Sequence, residues 1–343
     1  MASGKTLPIP EHFDPDKVSR VWRVPYQQRE AEARSWARGH RLGPAREDRP
    51  RVCLMLVDCQ NSFCIPDFEL FVAGRSGMGA VEDNIRLCRF IYEHIASITE
   101  IVCTMDTHKA MQIFHSAFWA NAAGEPPAPM TAITLKDVET GAWRVSTEVS
   151  SYVSDKGPEF LERYALHYVK ELSRRGKYDL TIWPYHAMLG GIGHALVSSV
   201  EEAAFFHNVA RGSQTLFEIK GEMPLTEHYS VLSPEVRTDQ EGLSTSEKNQ
   251  AFIARLMSFD AVIIAGQAKS HCVAWTIDDL LKEIEPKDAR KVYLLEDCTS
   301  AVVVPGVVDF TEQADQAFRG FSEAGMHVVR STDPIENWPG MPR

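Results

Sequence analysis

Short apolar runs recur along the chain at 52–57, 101–105, 180–183, 215–219, 261–265, 292–295 and 327–329, and the stretches between them carry helical spacing. Leu161, Tyr164, Ala165, Tyr168 and Leu172 fall on one face of a helix, as do Val81, Ile85, Cys88 and Tyr92. Runs this short and continuous read as strands buried on both faces, and their alternation with helices predicts crossover connections. The expected fold is therefore α/β, a parallel sheet of about six strands with helices on both faces. The two helical stripes are core and carry no assigned chemistry.

The run at 261–265 leads into Gly266-Gln-Ala-Lys-Ser-His-Cys272, after which Val273, Ile277, Leu280, Leu281 and Ile284 mark a helical face. This pattern predicts a strand, a tight turn and a helix, with Cys272 at the helix N-terminus. Unpaired N–H groups and the positive end of the helix dipole favour thiolate there and can hold a developing oxyanion. A small buried core cysteine is the equally simple alternative.

Composition narrows the classes of function. The 343 residues are 44% hydrophobic, enough for a sizeable core, and the formal charge of -11 disfavours nucleic acid or an acidic membrane as a partner. Seven cysteines at 53, 59, 64, 88, 103, 272 and 298 form no CxxC pair and no regular framework, which predicts a reducing, cytoplasmic setting. No apolar run approaches a membrane span, and the N-terminus lacks a signal-peptide pattern.

Residues 1–50 stand outside the strand–helix rhythm as an N-terminal arm, rich in arginine and proline, with Phe13, Trp22, Tyr26 and Trp36 spaced through it. Such aromatics predict anchoring on the domain or on a neighbouring subunit, since a disordered tail carries fewer. One domain is expected over 51–332, with insertions near 116–158 and 222–247 and a tail at 333–343. Long connections of this kind serve as lids or as oligomer contacts, and a homo-oligomer is expected.

Ligands of open α/β sheets bind beyond the carboxyl ends of the strands. The residues just after the runs are reactive ones. Asp58, Gln60, Asn61 and Phe63 follow the first, Asp106 and His108 the second with His115 further on, Trp183-Pro-Tyr-His186 the third, Lys220-Gly221 the fourth and Cys272 the fifth. Taken singly, Asp58 is a turn cap, Lys220 a solvated lysine, and Asp106 with His108 too common a pairing to define a metal site. Together they place a carboxylate, an ammonium and a thiol at one edge of the sheet.

Val-Asp-Cys-Gln-Asn-Ser-Phe at 57–63, Asp106-Thr-His108, Trp183-Pro-Tyr-His186, Lys220-Gly221 and Gly266-Gln-Ala-Lys-Ser-His-Cys272 resemble, in the same order, the motifs of nicotinamidases within the isochorismatase-like cysteine hydrolases. The resemblance spans most of 50–332. It implies a three-layer, Rossmann-like fold, a catalytic triad of Asp58, Lys220 and Cys272, and an oxyanion site at the N–H groups of Ala268 and Cys272 after a cis Gln267–Ala268 peptide. It further implies a divalent metal on Asp106, His108 and His186, with His115 as a candidate further ligand; zinc is expected first, iron and manganese being alternatives. Phe63 and Trp183 match the aromatic pair that sandwiches a pyridine ring. The implied activity is hydrolysis of nicotinamide, or a related aromatic carboxamide, to the acid and ammonia through a thioester, with a place in NAD salvage. Two rivals are an amidase of the same family for another small amide and a catalytically silent ligand-binding member. Ala187 stands where the family commonly has cysteine, and Lys269 and Ser270 where it commonly has threonine and aspartate.

Overall fold

The computed structural model describes residues 6–175 and 178–342. In chain order the strands are β1 (Val52–Val57), β2 (Glu100–Asp106), β3 (Trp119–Ala120), β4 (Ala132–Ile133), β5 (Arg144–Val145), β6 (Leu180–Thr181), β7 (Leu216–Lys220), β8 (Ala261–Gly266), β9 (Val292–Leu295), β10 (Val303–Val304), β11 (Val308–Asp309) and β12 (His327–Val329). The helices are α1 (Tyr26–His40), α2 (Asn61–Cys64), α3 (Gly79–Glu93), α4 (Leu135–Glu139), α5 (Ser150–Val153), α6 (Pro158–Arg175), α7 (Ser198–Arg211), α8 (Gln250–Met257), α9 (Ala274–Glu283) and α10 (Thr311–Glu323). No helix among the described residues is long and apolar enough to cross a membrane.

Two compact units divide the chain. The first comprises Met1–Met105, Ala195–Glu218 and Gln250–Arg343. It is built on a six-stranded sheet of order β12-β9-β8-β1-β2-β7, whose paired strands run parallel. Every residue of β1 and β8 is buried, which is why these segments read as unbroken apolar runs rather than alternating ones. From β1 the chain moves outward to β2 and β7, whereas from β8 it moves the other way, to β9 and β12. Right-handed crossovers running in opposite directions place their helices on opposite faces of the sheet. Accordingly α3 packs against α7, and α9 against α10. The reversal between β1 and β8 is a topological switch point, the place where such sheets bind ligands.

The arm belongs to this first unit. Its helix α1 packs along α7, and the main chain of Trp22 both donates to and accepts from the Ser198 hydroxyl, at 2.9 and 2.8 Å. Arg29 is 8% exposed, and its guanidinium meets Glu202, 2% exposed, at 2.5 Å. The arm's aromatic residues find partners here too: Phe13 lies against Tyr92, Tyr26 against Phe205 and Trp36 against Phe206.

The second unit comprises Asp106–His194 and Ile219–Asn249 and has its own apolar core. The predicted stripe of α6, from Leu161 to Leu172, is buried there with Phe118, Trp119, Ile133, Leu180 and Ile182. One sequence expectation fails in this unit. The run at 180–183 is not a strand of the parallel sheet; its first residues form β6, which pairs antiparallel with β4. An apolar run of four residues carries no information about its partner, and Pro184 stops this one before it can grow. Residues 116–158 contribute β3, β4, β5, α4 and α5 to the same core.

Candidate active site

In the first unit the switch point brings Asp58 and the cysteine turn together. β1 and β8 pair in register, with Val57 opposite Gly266, and the Gln267 N–H donates to the Val57 carbonyl at 2.8 Å. Gly266 has φ of 116°, and a Cβ on it would lie 2.1 Å from the Val57 oxygen, so only glycine fits. Asp58 and Gln267 therefore leave the sheet side by side. Asp58 itself has φ of 47° and no exposed surface. Its N–H donates to the Thr104 hydroxyl at 3.1 Å, and that hydroxyl donates to Asp58 Oδ1 at 2.5 Å.

The turn differs in detail from the expected helix N-terminus. Gln267–Ala268 is cis, matching the sequence-based expectation, and Lys269–Val273 forms a single π-helical turn before α9 begins. Cys272 thus lies inside that turn, 9% exposed. The Ala268 carbonyl accepts from both the His271 and Val273 N–H groups, at 3.0 and 3.2 Å. Lys269 and Ser270, which depart from the family pattern, are engaged within the same unit. Lys269 Nζ reaches Asp315 of α10 at 2.5 Å, and the Ser270 hydroxyl accepts from the Val302 N–H at 3.1 Å. Phe63 sits on α2, 8% exposed.

The second unit holds Lys220, Asp106, His108, His186, His115 and Trp183. Asp106, His108 and His186 are buried, and their ligand atoms all lie within 4.8 Å of one another. Asp106 Oδ1 accepts from Lys220 Nζ at 2.7 Å, while Oδ2 lies 2.8 Å from His108 Nε2 and 3.5 Å from His186 Nε2. Burial opposes the Asp106 charge, but the charges of His108 and Lys220 outweigh it and hold the carboxyl well below its ordinary range. Burial likewise opposes a charged His108 ring; the Asp106 carboxylate prevails and the shift is upward. For His186 burial prevails and the shift is downward. His115 is pushed down to about 3, by burial first and then by the charges of His186 and His108.

These residues fit a divalent metal. His108, His186 and His115 each turn Nδ1 to a backbone carbonyl, of Gly221 at 3.3 Å, Pro184 at 2.7 Å and Lys109 at 3.1 Å. A ring that donates through Nδ1 keeps a lone pair on Nε2, the arrangement that orients metal-ligating histidines. His115 Nε2 is buried without a hydrogen-bond partner, and its ring centre lies 5.7 Å from that of His108. A buried acceptor without a donor beside two histidines and a carboxylate is what a cation site presents. Gly221, with φ of 87°, closes the cradle, since a Cβ there would come within 2.8 Å of His108 Cε1 and 2.9 Å of Asp106 Oδ1. The Gln112 side chain ties the Gly221 carbonyl (2.6 Å) to that of Met223 (3.1 Å). Trp183 donates from Nε1 to the Tyr229 hydroxyl at 3.3 Å.

Sequence reasoning missed three supporting residues. Thr104 holds Asp58, Gln112 braces the cradle at the Gly221 carbonyl, and Glu227, buried in the second inserted segment, is raised to about 7, chiefly by burial. Thr104 was the findable one: a hydroxyl within the otherwise apolar Ile101–Met105 stretch asks for a partner.

No protein-family model matches the chain, and no curated protein sequence matches it. Solved structures do. Two structures of the yeast nicotinamidase, one of them bound to the inhibitor nicotinaldehyde, are 19% and 18% identical to it. Each matches at a TM-score of 0.50 over 81% of this chain and 99% of its own. The chain has the nicotinamidase fold. A nicotinamidase/pyrazinamidase from Acinetobacter matches at 18% identity and a TM-score of 0.49 over 83% of this chain and 98% of its own.

Proposed function

We propose that this protein is a cysteine amidohydrolase of nicotinamidase type, converting nicotinamide or a closely related aromatic carboxamide to the acid and ammonia. The observation that carries the reading is the pairing, at the switch point, of a buried carboxylate, Asp58, with the turn that holds Cys272. An amide is a poor electrophile, so its hydrolysis needs an activated nucleophile, a stabilised oxyanion and a proton for the leaving amine.

In this reading Asp58 takes the proton of Cys272 and the sulfur bonds to the carboxamide carbon. The Ala268 and Cys272 N–H groups face the oxygen as it becomes negative. Lys220 supplies positive charge that favours thiolate over thiol. Asp58 returns its proton to the departing nitrogen, the C–N bond breaks and ammonia leaves. Asp58 then draws a proton from water, whose oxygen attacks the thioester; the acid leaves and the thiol is restored. Asp106, His108 and His186 would hold a divalent ion, zinc in our reading, which when bound would supply a Lewis acid for a ring nitrogen of the substrate. Phe63 and Trp183 hold the flat ring.

Ammonia release from nicotinamide, pyrazinamide and benzamide tests this, run on the parent and on Cys272→Ala. Nicotinamide and pyrazinamide should be cleaved well, and benzamide, lacking the ring nitrogen, poorly; the alanine variant should lose at least about a thousandfold in kcat. Retention of activity in Cys272→Ala would remove the cysteine mechanism. Equal rates on benzamide and nicotinamide would move the reading to an amidase for a different substrate.

A further inference from the structure

Helix α3 buries a carboxylate that no step of the mechanism uses. Asp83, 2% exposed, shares its helix with the apolar stripe of Val81, Cys88 and Tyr92. Burial pushes its carboxyl up, against hydrogen bonds from the Ser300, Gln267 and Arg86 side chains that pull it down. A buried ionisable group placed among apolar neighbours costs stability unless every oxygen is satisfied, so its partners identify its task.

One partner is the turn that carries Cys272. Gln267 is 1% exposed, and its Nε2 donates to Asp83 Oδ2 at 2.8 Å while its Oε1 accepts from the Ser300 N–H at 3.3 Å. The next link returns to the turn: the Lys269 N–H donates to the Ser300 carbonyl at 2.8 Å. Ser300 is wedged close to α3, since a Cβ on Gly79 would lie 2.7 Å from its hydroxyl. Asp83 Oδ1 is held from the other side by Arg86 at 2.8 Å, and Arg86 also donates to the Asp297 carbonyl. On the far side of the Gln267–Ala268 peptide, the Ala268 carbonyl is fixed by two N–H donors of the π-turn. The peptide plane that carries the Ala268 N–H is therefore clamped at both ends.

We propose that Asp83 is a positioning residue for the oxyanion turn: through the Gln267 side chain and Ser300 it sets the direction of the Ala268 N–H and the seat of Cys272. This deepens the amidase reading and rests on it. Loss of the clamp leaves substrate binding in place and misaligns the donor for the developing oxyanion, so it lowers kcat and spares KM.

The test uses the full chain with Asp83→Ala, Gln267→Met and the double variant Asp83→Asn with Gln267→Glu. In the double variant the amide donates and the carboxylate accepts, so the hydrogen bond is restored with its direction reversed, and Arg86 and the Ser300 N–H keep their acceptors. With nicotinamide, each single variant should lose about ten- to a hundredfold in kcat with KM within about twofold of the parent, and the double variant should recover most of that loss. The rate of Cys272 alkylation by iodoacetamide provides a second readout that needs no substrate; it should change in the single variants and return in the double. If the parent cleaves no amide, the amidase reading fails and alkylation alone decides this inference. Single variants that fold with parental kcat and alkylation, or a double variant no better than the singles, would overturn it. Should Asp83→Ala fail to fold, Asp83→Asn alone is measured in its place, with the same two outcomes.

Discussion

Gly221 offers a measurement in which backbone strain and damage to the metal cradle separate. It has φ of 87°, and Gly212, at the end of α7, has φ of 58°. Alanine at either position adopts a left-handed backbone at a cost of about 1–2 kcal/mol. Around Gly212 nothing lies within 4 Å of the added Cβ, so Gly212→Ala should show that cost and no more. At Gly221 the same methyl would stand 2.8 Å from His108 Cε1, 2.9 Å from Asp106 Oδ1 and 3.1 Å from the Thr107 carbonyl. Two of the three candidate metal ligands must move, and neither is the end of a flexible chain: His108 Nδ1 faces the Gly221 carbonyl and Asp106 is held by Lys220. Displacement of oriented ligands costs about ten- to a hundredfold in metal affinity. Urea unfolding of the metal-free proteins and zinc titration against a chromogenic chelator provide the two numbers. Gly212→Ala should match the parent in zinc affinity while losing stability; Gly221→Ala should lose both. If Gly221→Ala binds zinc within about twofold of Gly212→Ala, the cradle described here does not hold the metal.

Other expectations follow from the same geometry. Thr104→Val removes the hydroxyl that bonds Asp58 Oδ1, and should lower kcat about ten- to a hundredfold in steady-state assays, with Thr104→Ser restoring most of it; equal activity in the valine variant would show that Asp58 needs no such support. Arg29→Met strands Glu202 at 2% exposure and should cost about 3–5 kcal/mol by urea unfolding, whereas Arg29→Met with Glu202→Leu should recover most of it; a neutral single variant would mean the arm contributes little to the first unit. His94, His207 and His271 are each lowered by burial to about 4 from 6.5, so the unfolded chain takes up protons that the folded chain refuses. Stability should therefore fall as pH drops through the window from 6.5 to about 4, by up to about 1.4 kcal/mol per pH unit for each histidine; unfolding midpoints that hold level across this window would contradict the burial of these rings.

The elements legible in the sequence were those whose cause is local. The apolar segments of β1 and β8 are continuous because both faces of each strand are covered, and the stripe of α6 is periodic because one face is. Pairing is a different matter, as the run at 180–183 shows: whether a short strand joins a parallel sheet or a two-stranded antiparallel one depends on residues 132–133, nearly fifty positions away, not on its own composition. The site divides in the same way. Asp58, Asp106, His108, His186, Lys220 and Cys272 were visible because reactive side chains follow strand runs. Asp83 and Thr104 were not, since a polar residue within an apolar stripe is explained only by the partner that the fold brings to it. The π-turn around Cys272 was also hidden, because turn and helix residues are the same types in either winding.

The pinched contact at Gly266 has a consequence for where this chain can change length. Because a β-carbon there would meet the Val57 carbonyl at 2.1 Å, a slip of one residue in either direction would press Ala265 or Gln267 against that oxygen. The register of β1 and β8 is thus fixed by an excluded volume rather than by a preference among side chains, and the number of residues from Gly266 to Cys272 becomes a ruler for the distance from Asp58 to Cys272. Insertions or deletions within 267–271 would change that ruler directly, whereas those in the arm or in the segments at 116–158 and 222–247 fall outside it. Efforts to change the length of this chain should leave the rung at Gly266 alone.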